Sequence, residues 1–538
     1  MIPEIALLGE RFSGQQWNKD TQTSFMLLLK DMDFFHGTGE KDPAFSARDR
    51  INRAPKSLGF VNLKPVISLT PAGLSLIGAK RTQEIFLRQL LKFQLPSPFH
   101  KPSAHAAMFF VKPYLEILRL VCDLGFLRFD ELQIFAMQLT NWRKAGEIVD
   151  KIKRFRSKKE KNHLPYKRFR DECLKAEVAS IYESDIKVGD VKTREIGESS
   201  AERFIAVKAA NLRDYADACV RYLRATGIVD ISHAGKFLSI AVGQTDVVNW
   251  ILENIDRNPC FVDDEKRYIE YLGNAELPAL PSDSKAHVLR KLKSDFDIEA
   301  NPSEPISKLK ELLAQKTESR KVALIAKQTA ELKRGKLYGN IESVFAAIKA
   351  KTIYDPPLML EWNVWRAMTM LDGGDIKANL KFDDAGHPMS TAQGNAADII
   401  CDYGDFALTV EVTTATGQRQ YETEGESVAR HLAKYKVTSG KPTYCLFIAP
   451  VVNDAAVAHF YVLQKTNVSY YGGRSLIVPL PLDVFQKMLC NSTTCARATT
   501  PADLKAFFES AAAVAKTSTD ECEWFEAVKQ NALNWLKA

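Results

Sequence analysis

The pattern of apolar and polar positions changes rhythm at two places and so divides the chain into three parts. Residues 277–284, LPALPSDS, are rich in proline and serine, which interrupt regular structure. From Lys285 to about Lys336 the pattern becomes helical and strongly charged. Its apolar stripe consists of Leu289, Leu292, Leu309, Leu312, Leu313, Val322 and Leu332. We therefore predict an N-terminal region over 1–280, a helical linker over 281–338 and a C-terminal domain over 339–538.

Two segments of the N-terminal region combine a helix with a β-hairpin. Lys56–Ile77 is β-prone, contains turn residues and follows a basic helical segment. In the second segment Leu212, Tyr215, Ala216, Cys219, Tyr222 and Leu223 recur at helical spacing, Gly227 ends the helix, and IVDIS and HAGKFLSI form two strands around a glycine. This is the plan of a winged-helix unit, so we predict two winged-helix-like subdomains of α+β type. Small α/β packing units would show the same pattern.

The C-terminal domain contains two acids that a tight hairpin brings together. Ile399–Tyr403 and Phe406–Thr413 are β-prone, and Gly404-Asp405 between them fits a two-residue turn. This turn pairs Asp398 with Glu411, at a Cβ separation of roughly 4.5–5.5 Å where like charges destabilise a sheet. A divalent cation such as Mg²⁺, which prefers carboxylate oxygens, would offset the repulsion. The alternative is that Asp398 lies at a solvated edge and salt screens it.

Further candidate residues lie on both sides of this hairpin. Glu361 is predicted to open an amphipathic helix, EWNVWRAMTML, and Glu424 and Glu426 follow Glu411 after 13 and 15 residues. His431 is predicted to lie near Glu424 on a helix that begins at Ser427. Acids near a helix N-terminus are also explained by the helix dipole, and a single histidine is often structural.

The charge of the chain is unevenly distributed. Residues 1–340 contain 55 Lys+Arg against 44 Asp+Glu, whereas residues 341–538 contain 18 against 22, which together give the net charge of +7. A basic N-terminal region suits a polyanionic partner. The candidate base-reading residues are Arg48, Arg50, Asn52, Arg53 and Lys56. Arg81, Arg88 and Lys92 are predicted to share one helix face, opposite Ile85, Phe86 and Leu90, and to contact phosphates; a solvated helix face explains them equally well.

Other features of the sequence exclude several classes of protein. No apolar run is long enough to cross a membrane, and Glu4 lies where a signal peptide has basic residues, so we expect a cytoplasmic protein without a membrane partner. The nine cysteines contain no Cys-x-x-Cys pair. We therefore expect reduced core thiols and neither a disulfide framework nor a zinc knuckle.

Four segments resemble one known family. They are AFSARDR with LGF (44–60), FLRQLLKFQLPS (86–97), the block from Gly394 to Thr414, and ESVARH followed by YCLFIAP (426–450). An Asp, a hairpin and a Glu-x-Lys triplet form the core of the PD-(D/E)xK nucleases. The full set resembles the AlwI-type type IIS restriction endonucleases, which include strand-nicking relatives.

The resemblance implies a recognition region, a helical linker and a C-terminal α/β nuclease domain with a central mixed sheet. It also implies phosphodiester hydrolysis that depends on Mg²⁺, with Mn²⁺ as an expected substitute. The implied catalytic residues are Glu361, Asp398, Glu411, Glu424 and His431, of which Asp398, Glu411 and Glu361 hold the metal. The chain departs from the general motif at Thr413, which replaces the lysine. Gln420, Arg430 and His431 are the candidates to replace its function.

The function implied by this resemblance is cleavage of double-stranded DNA a few base pairs outside a short asymmetric site. Cleavage of the second strand would need a transient homodimer on DNA or a small nuclease subunit. The alternatives are a strand-specific nicking enzyme, the large subunit of a heterodimer, and a winged-helix regulator with an inactive nuclease fold. An RNA-processing nuclease is disfavoured because the predicted wings suit B-form grooves. The family suggests GGATC or GAGTC as first guesses for the target.

Overall fold

The structure is a computed structural model. It describes residues 1–32, 42–79, 81–99, 109–193, 200–231, 237–335, 337–350, 352–371, 373–391, 396–495 and 497–537. The chain forms two compact units, Met1–Thr317 and Glu318–Ala538. The proposed division into 1–280, 281–338 and 339–538 remains a prediction, because its linker segment is shared between these two units.

The first unit is mainly helical. In chain order its elements are α1 Ile2–Phe12, α2 Lys19–Lys30, α3 Pro43–Asn52, α4 Ala54–Ser57, β1 Val61–Asn62, β2 Ser68–Leu69, α5 Pro71–Gly78, α6 Gln83–Lys92, α7 Pro113–Leu124, β3 Leu127–Arg128, α8 Phe129–Ile134, α9 Ala145–Lys161, α10 Tyr166–Ile181, α11 Glu183–Lys187, α12 Ala201–Ala225, β4 Val229–Ile231, β5 Phe237–Ile240, α13 Thr245–Asn254, α14 Glu265–Gly273 and α15 Lys285–Phe296. Helix α16, Ile306–Lys333, begins in this unit and ends in the second.

The second unit combines a mixed sheet with helices. Its elements are α17 Tyr338–Lys349, α18 Pro356–Leu371, β6 Asp375–Ala378, β7 Leu380–Phe382, β8 Pro388–Thr391, β9 Ile399–Asp402, β10 Ala407–Val412, α19 Gln418–Ser439, β11 Thr443–Ala449, α20 Asp454–Lys465, β12 Ile477–Pro481, α21 Leu482–Thr494, α22 Pro501–Thr517 and α23 Glu521–Asn534.

The two segments predicted to be winged helices both contain short antiparallel strands. After α3 and α4, β1 pairs with β2, and Val61 faces Leu69. The second segment belongs to a three-stranded sheet of order β3-β5-β4, in which Leu238 of β5 faces both Leu127 and Ile231. The predicted turn of this hairpin, around Gly235, lies outside the described residues.

The sheet of the second unit has the strand order β12-β11-β10-β9-β6. Strands β10, β11 and β12 are parallel, whereas β9 runs antiparallel to β10 and β6 antiparallel to β9. Every residue of β10 is buried, although its sequence, ALTVEV, includes a glutamate. A strand that is buried on both faces is covered by helices, and α18 and α19 both contact β10. The sheet therefore places one acid in the interior of the unit.

Two helix starts differ from those predicted. Helix α18 begins at Pro356, so Glu361 lies one turn inside it instead of opening it. The Pro356-Pro357 pair marks the start, because proline fits the first turn of a helix, where no backbone N–H needs an internal partner. Helix α19 begins at Gln418, directly after Gly417 with its positive φ of 61°, and not at Ser427. Glu424 and Glu426 therefore lie within the helix.

All nine cysteines are free, as expected, but only Cys219, Cys401 and Cys445 are buried, so the description as core thiols holds for these three alone. Among the described residues, no helix is long and apolar enough to cross a membrane.

Candidate active site

The β9–β10 hairpin has the register predicted from the sequence. Val410 faces Ile399 and Ala407 faces Asp402, while Tyr403 and Phe406 close the two-residue turn through a 3.0 Å backbone hydrogen bond. One step further along the same register places Glu411 beside Asp398. The backbone N–H of Val412 donates to Asp398 Oδ2 at 2.8 Å. This hydrogen bond holds the Asp398 carboxylate against β10, so the predicted juxtaposition of the two acids is confirmed.

Glu361 from α18 and Glu424 from α19 join this pair. Burial, and then the charges of Glu411 and Glu424, raise the pKa of Asp398 well above its ordinary value. Burial, Glu424 and Glu361 have the same effect on the pKa of Glu411. The pKa of Glu361 is raised to about 9 by burial and by the charges of Asp398, Asp355 and Glu424. Each acid is thus close enough to the others to oppose their ionisation, and the four form one cluster.

A bound cation would stabilise the four carboxylates, which repel one another without it. Glu361 Oε2 is buried and has no hydrogen-bond partner among the described residues. A buried carboxylate oxygen without a partner is costly, and a divalent ion that binds carboxylates would satisfy it. The described side chains do not yet bring three ligand atoms of these acids within 4.8 Å of one another. A bound ion would therefore draw at least one carboxylate inward.

His431 lies beside the cluster on α19. Its Nδ1 is 2.9 Å from Glu411 Oε1, and both side chains are less than a tenth exposed. Burial, followed by the positive charge of Arg430, lowers the pKa of His431 to about 4, so the ring is neutral near pH 7. Its Nε2 is buried and has no hydrogen-bond partner among the described residues.

Thr413, which replaces the lysine of the general motif, is uncharged. The Thr413 side chain hydrogen-bonds Glu424 and accepts from Ala415 N at 3.0 Å. The three proposed substitutes differ clearly in their contacts. Arg430 contacts Glu426 at 3.0 Å. Its positive charge also offsets part of the rise in the pKa of Glu411. His431 is in hydrogen-bond contact with Glu411, an acid of the cluster.

Gln420 has a different role from the one predicted. Its side chain is fully buried, donates to Ala415 O at 2.8 Å and to Val451 O at 2.9 Å, and accepts from Asn453 N at 2.7 Å. The amide therefore holds together the loop after β10, the loop after β11 and the first turn of α19. Because these bonds occupy its polar atoms, the prediction that Gln420 replaces the lysine is wrong.

Two of the residues predicted to contact phosphates lie in the interior of the first unit. Arg88 is 5% exposed and binds Asp283 at 2.7 and 2.8 Å as well as Glu84 at 2.7 Å. Burial alone would lower the pKa of Arg88, but these acids raise it. Lys92 is fully buried and donates to Leu272 O at 2.9 Å, and burial lowers its pKa to about 7. The predicted phosphate contacts are wrong for both, because α6 is buried on all sides from Phe86 to Lys92.

The residues predicted to read bases are more accessible. Arg48 and Asn52 are exposed on α3, four residues apart and therefore on one face. Arg50, also exposed, binds Glu4 at 2.8 Å, and Arg53 binds Asp49 at 2.6 Å, beside a cleft of about 480 Å³. Half-buried Lys56 lies over the ring of Phe99, while Arg81, next to α6, is half-buried.

Sequence reasoning missed Asp355, which precedes the two prolines of α18. Its charge contributes to the raised pKa of Glu361, and its backbone has a φ of 47°, which is uncommon for a residue other than glycine. The Asp-Pro-Pro sequence was the available signal, because it marks both a helix start and an acid one turn before Glu361.

The chain is similar to some known proteins. A comparison with curated proteins gave no match. Two solved structures are similar over parts of the chain. The small subunit of the heterodimeric restriction endonuclease R.BspD6I is 24% identical with a TM-score of 0.30, over 38% of this chain and 98% of its own. The BpuJ1 endonuclease binding domain, in complex with modified DNA, is 15% identical with a TM-score of 0.33, over 50% of this chain and 90% of its own.

The two structural similarities are too distant to decide the function, but the match to a family is extensive. The AlwI restriction endonuclease family matches residues 56–488, which begin after α3 and include the whole acidic cluster. The match covers far more than half of the 538 residues. The chain therefore belongs to the AlwI restriction endonuclease family, whose members are site-specific deoxyribonucleases that generally use a divalent metal.

Proposed function

We propose that the protein is a Mg²⁺-dependent endonuclease of type IIS, which reads a short asymmetric DNA sequence and cuts outside it. The observation that carries this proposal is the cluster of Asp398, Glu411, Glu361 and Glu424 around one hairpin. Four carboxylates that raise one another's pKa values reduce the stability of the fold. Such an arrangement is expected where the acids bind a cation during catalysis.

Asp398, Glu411 and Glu361 are the residues that would hold the metal, with Mn²⁺ as a substitute for Mg²⁺. When bound, a divalent ion lowers the pKa of water and stabilises charge on a scissile phosphate. The chain's own contribution is orientation. Val412 N–H fixes Asp398, and Thr413 fixes Glu424, which is thereby placed to orient the attacking water.

His431 takes the place of the missing lysine in this proposal. Its Nδ1 contact with Glu411 fixes the plane of the ring, and its buried Nε2 is left without a partner among the described residues. A neutral Nε2 can accept a hydrogen bond or a proton from a water molecule at the cluster. His431 is therefore the proposed group that positions and deprotonates the nucleophile.

The first unit would supply DNA recognition. The series α7, β3, α8, α12, β4 and β5, with β5 between β3 and β4, supports a winged-helix arrangement. The segment of α3, α4, β1 and β2 supports the other. On α3, Arg48 and Asn52 share one exposed face, and their side chains suit guanine and adenine edges in the major groove. We propose this face, with Arg50, Arg53 and Lys56 beside it and Arg81 near a phosphate, as the base-reading surface.

Plasmid cleavage followed by run-off sequencing of both strands tests the proposal. The expected result is cutting in Mg²⁺ or Mn²⁺ at a fixed offset from a short asymmetric sequence, and its loss in EDTA. Linear product from this chain alone indicates a transient homodimer on DNA. Nicked circles that persist at high protein concentration indicate the strand-specific alternative. Specific binding without cutting in either metal would contradict the nuclease assignment and favour a winged-helix regulator.

A further inference from the structure

A basic corner between α9 and α10 plays no part in the site described above. Residues 151–170 contain ten Lys+Arg and one acid, Glu160. The corner comprises the C-terminal half of α9, the connection 162–165 and the first turn of α10. A cleft of about 510 Å³ opens here and is lined by Lys158, Lys161, Asn162, His163, Leu164 and Phe169.

The cations of this corner fall into two groups. The first group is neutralised within the fold: Arg156 binds Glu131 through two hydrogen bonds of 2.8 Å, and Lys151 forms an ion pair with Glu177. The second group consists of Lys153, Arg154, Lys158, Lys161 and Lys167. These five are exposed, and none has an ion pair with an acid among the described residues.

Three members of the second group form a line. Arg154, Lys158 and Lys161 are separated by four and three residues, which places them on one face of α9. They extend over about 10 Å of helix axis, at about 1.5 Å per residue. One strand of B-form DNA has a phosphate about every 3.4 Å along its axis, so the line spans about three phosphates.

The corner is held in place by its apolar side. Phe155 of α9 and Phe169 of α10 are 3% and 5% exposed, and their rings stack at 5.2 Å with an angle of 27°. Lys159 lies 4.3 Å from the ring centre of Tyr166. The cations therefore project from a packed pair of helices. Less side-chain and backbone order has to be gained on binding than for a loose basic tail.

We propose that this corner binds the phosphate backbone of duplex DNA outside the recognition sequence, through Arg154, Lys158 and Lys161, with Lys153 and Lys167 beside them. The inference rests on the proposed function, because it assumes a DNA substrate. It adds a second, sequence-independent contact to the base-reading face of α3. Such a contact increases affinity for any duplex and carries no base preference.

The test is the salt dependence of binding to a mixed-sequence 40-base-pair duplex, with Ca²⁺ in place of Mg²⁺. The full chain is compared with the triple variant R154A/K158A/K161A. Its matched control is K187A/K293A/K308A, which removes three equally exposed cations of the same unit that are ion-paired with Glu183, Asp297 and Glu304. Each lost phosphate contact reduces the slope of log K against log salt by about 0.9.

We expect the slope of the triple variant to fall by about 2 to 3, whereas the control stays within about 1 of the unmodified chain. Melting temperatures show whether both variants are folded. Equal slopes for the two variants, or no binding of the unmodified chain at low salt, would overturn the inference. Mg²⁺-dependent cutting with unchanged slopes would leave the nuclease proposal intact and reject the corner. A reduced slope without cutting in Mg²⁺ would support the corner and reject the nuclease proposal.

Discussion

Two buried acids of the first unit and the acidic cluster of the second unit differ in the sign of the charges beside them. In the first unit two fully buried acids each have a basic partner: Glu131 binds Arg156, and Glu116 binds Arg257 at 2.6 and 2.9 Å. In the second unit the hairpin brings Asp398 and Glu411 together, and burial and the neighbouring acids raise the pKa of both. The first arrangement serves the fold, since each charge is compensated where it is desolvated.

The acidic cluster of the second unit reduces the stability of the fold. Like charges in a low-dielectric site oppose one another, and the raised pKa values express this cost. The difference shows that burial of a charge does not by itself indicate function. The sign of its neighbours is more informative, because uncompensated like charges reduce stability unless a ligand joins them.

The largest expected effect follows from removing one of these like charges. Glu411→Gln should reduce Mg²⁺-dependent cleavage at least about a thousandfold, equivalent to about 4 kcal/mol in the transition state. In EDTA the same variant should melt at a higher temperature than the unmodified chain, because one buried like charge is gone. Cleavage rates and melting curves check both parts. Glu422→Gln, an exposed change on α19, is the control and should alter neither. A lower melting temperature together with retained cutting would contradict the comparison.

Removing a compensated charge should have the reverse effect. Arg88→Met should lower the free energy of unfolding by about 2–4 kcal/mol, because two backbone carbonyls lose a hydrogen bond and Asp283 and Glu84 keep only Lys310 as a basic partner among the described residues. Denaturant unfolding measures this loss. Arg48→Ala, on the exposed face of α3, should change stability by less than about 0.5 kcal/mol and weaken binding of the target DNA instead. If Arg88→Met left stability intact and weakened DNA binding, the original phosphate-contact prediction would be restored.

A smaller effect is expected at the side chain that holds the start of α19. Gln420→Ala should lower the turnover number by about 10–100-fold, since α19 carries both Glu424 and His431. It should also reduce stability by about 2 kcal/mol through its lost hydrogen bonds. KM for DNA should stay unchanged, because Gln420 is fully buried and cannot contact DNA itself. Gln418→Ala, exposed on the same turn, is the control. A change in KM alone would reject the positioning role.

The smallest effect concerns an ion pair at the end of β9. Lys441 binds Asp402 at 2.6 and 2.8 Å, and this hydrogen bond lowers the pKa of Asp402. A lowered carboxyl pKa contributes stability above the unfolded pKa, and this stability is lost as the pH falls through the folded value. Lys441→Met should therefore cost at most about 1 kcal/mol at pH 7, because the pair is exposed. The difference should vanish near pH 2 and shrink in high salt, as unfolding curves at several pH values would show.

Local patterns predicted the acidic site better than the DNA-binding residues, for a physical reason. A two-residue turn fixes which residues face each other over the whole hairpin, so Asp398 and Glu411 could be paired from the sequence. Helical spacing fixes only which residues share a face. It does not say whether that face meets solvent or another helix, and α6 proved to be buried all round.

Other features depended on contacts far apart in sequence. The contacts of Gln420 reach from Ala415 to Asn453, and those of Arg88 reach as far as Asp283. No local pattern contains this information. The helix starts were accessible in principle, since Pro356 and Gly417 are recognised boundary residues. In α19 the apolar periodicity starts later than the helix itself, at Val428, whereas in α18 the apolar residues already start at Leu358, so only the start of α19 was hidden by the pattern.

The turn at Gly404-Asp405 has a further consequence. It is exposed, Gly404 has a φ of 90°, and Asp405 binds the side chain of Lys505 at 3.2 Å. Loops of this kind usually tolerate insertions. Here a single added residue would slide β9 by one position, and Asp398 would then project from the opposite face of the sheet to Glu411. The length of a surface loop is thus as constrained as the identity of the acids it aligns.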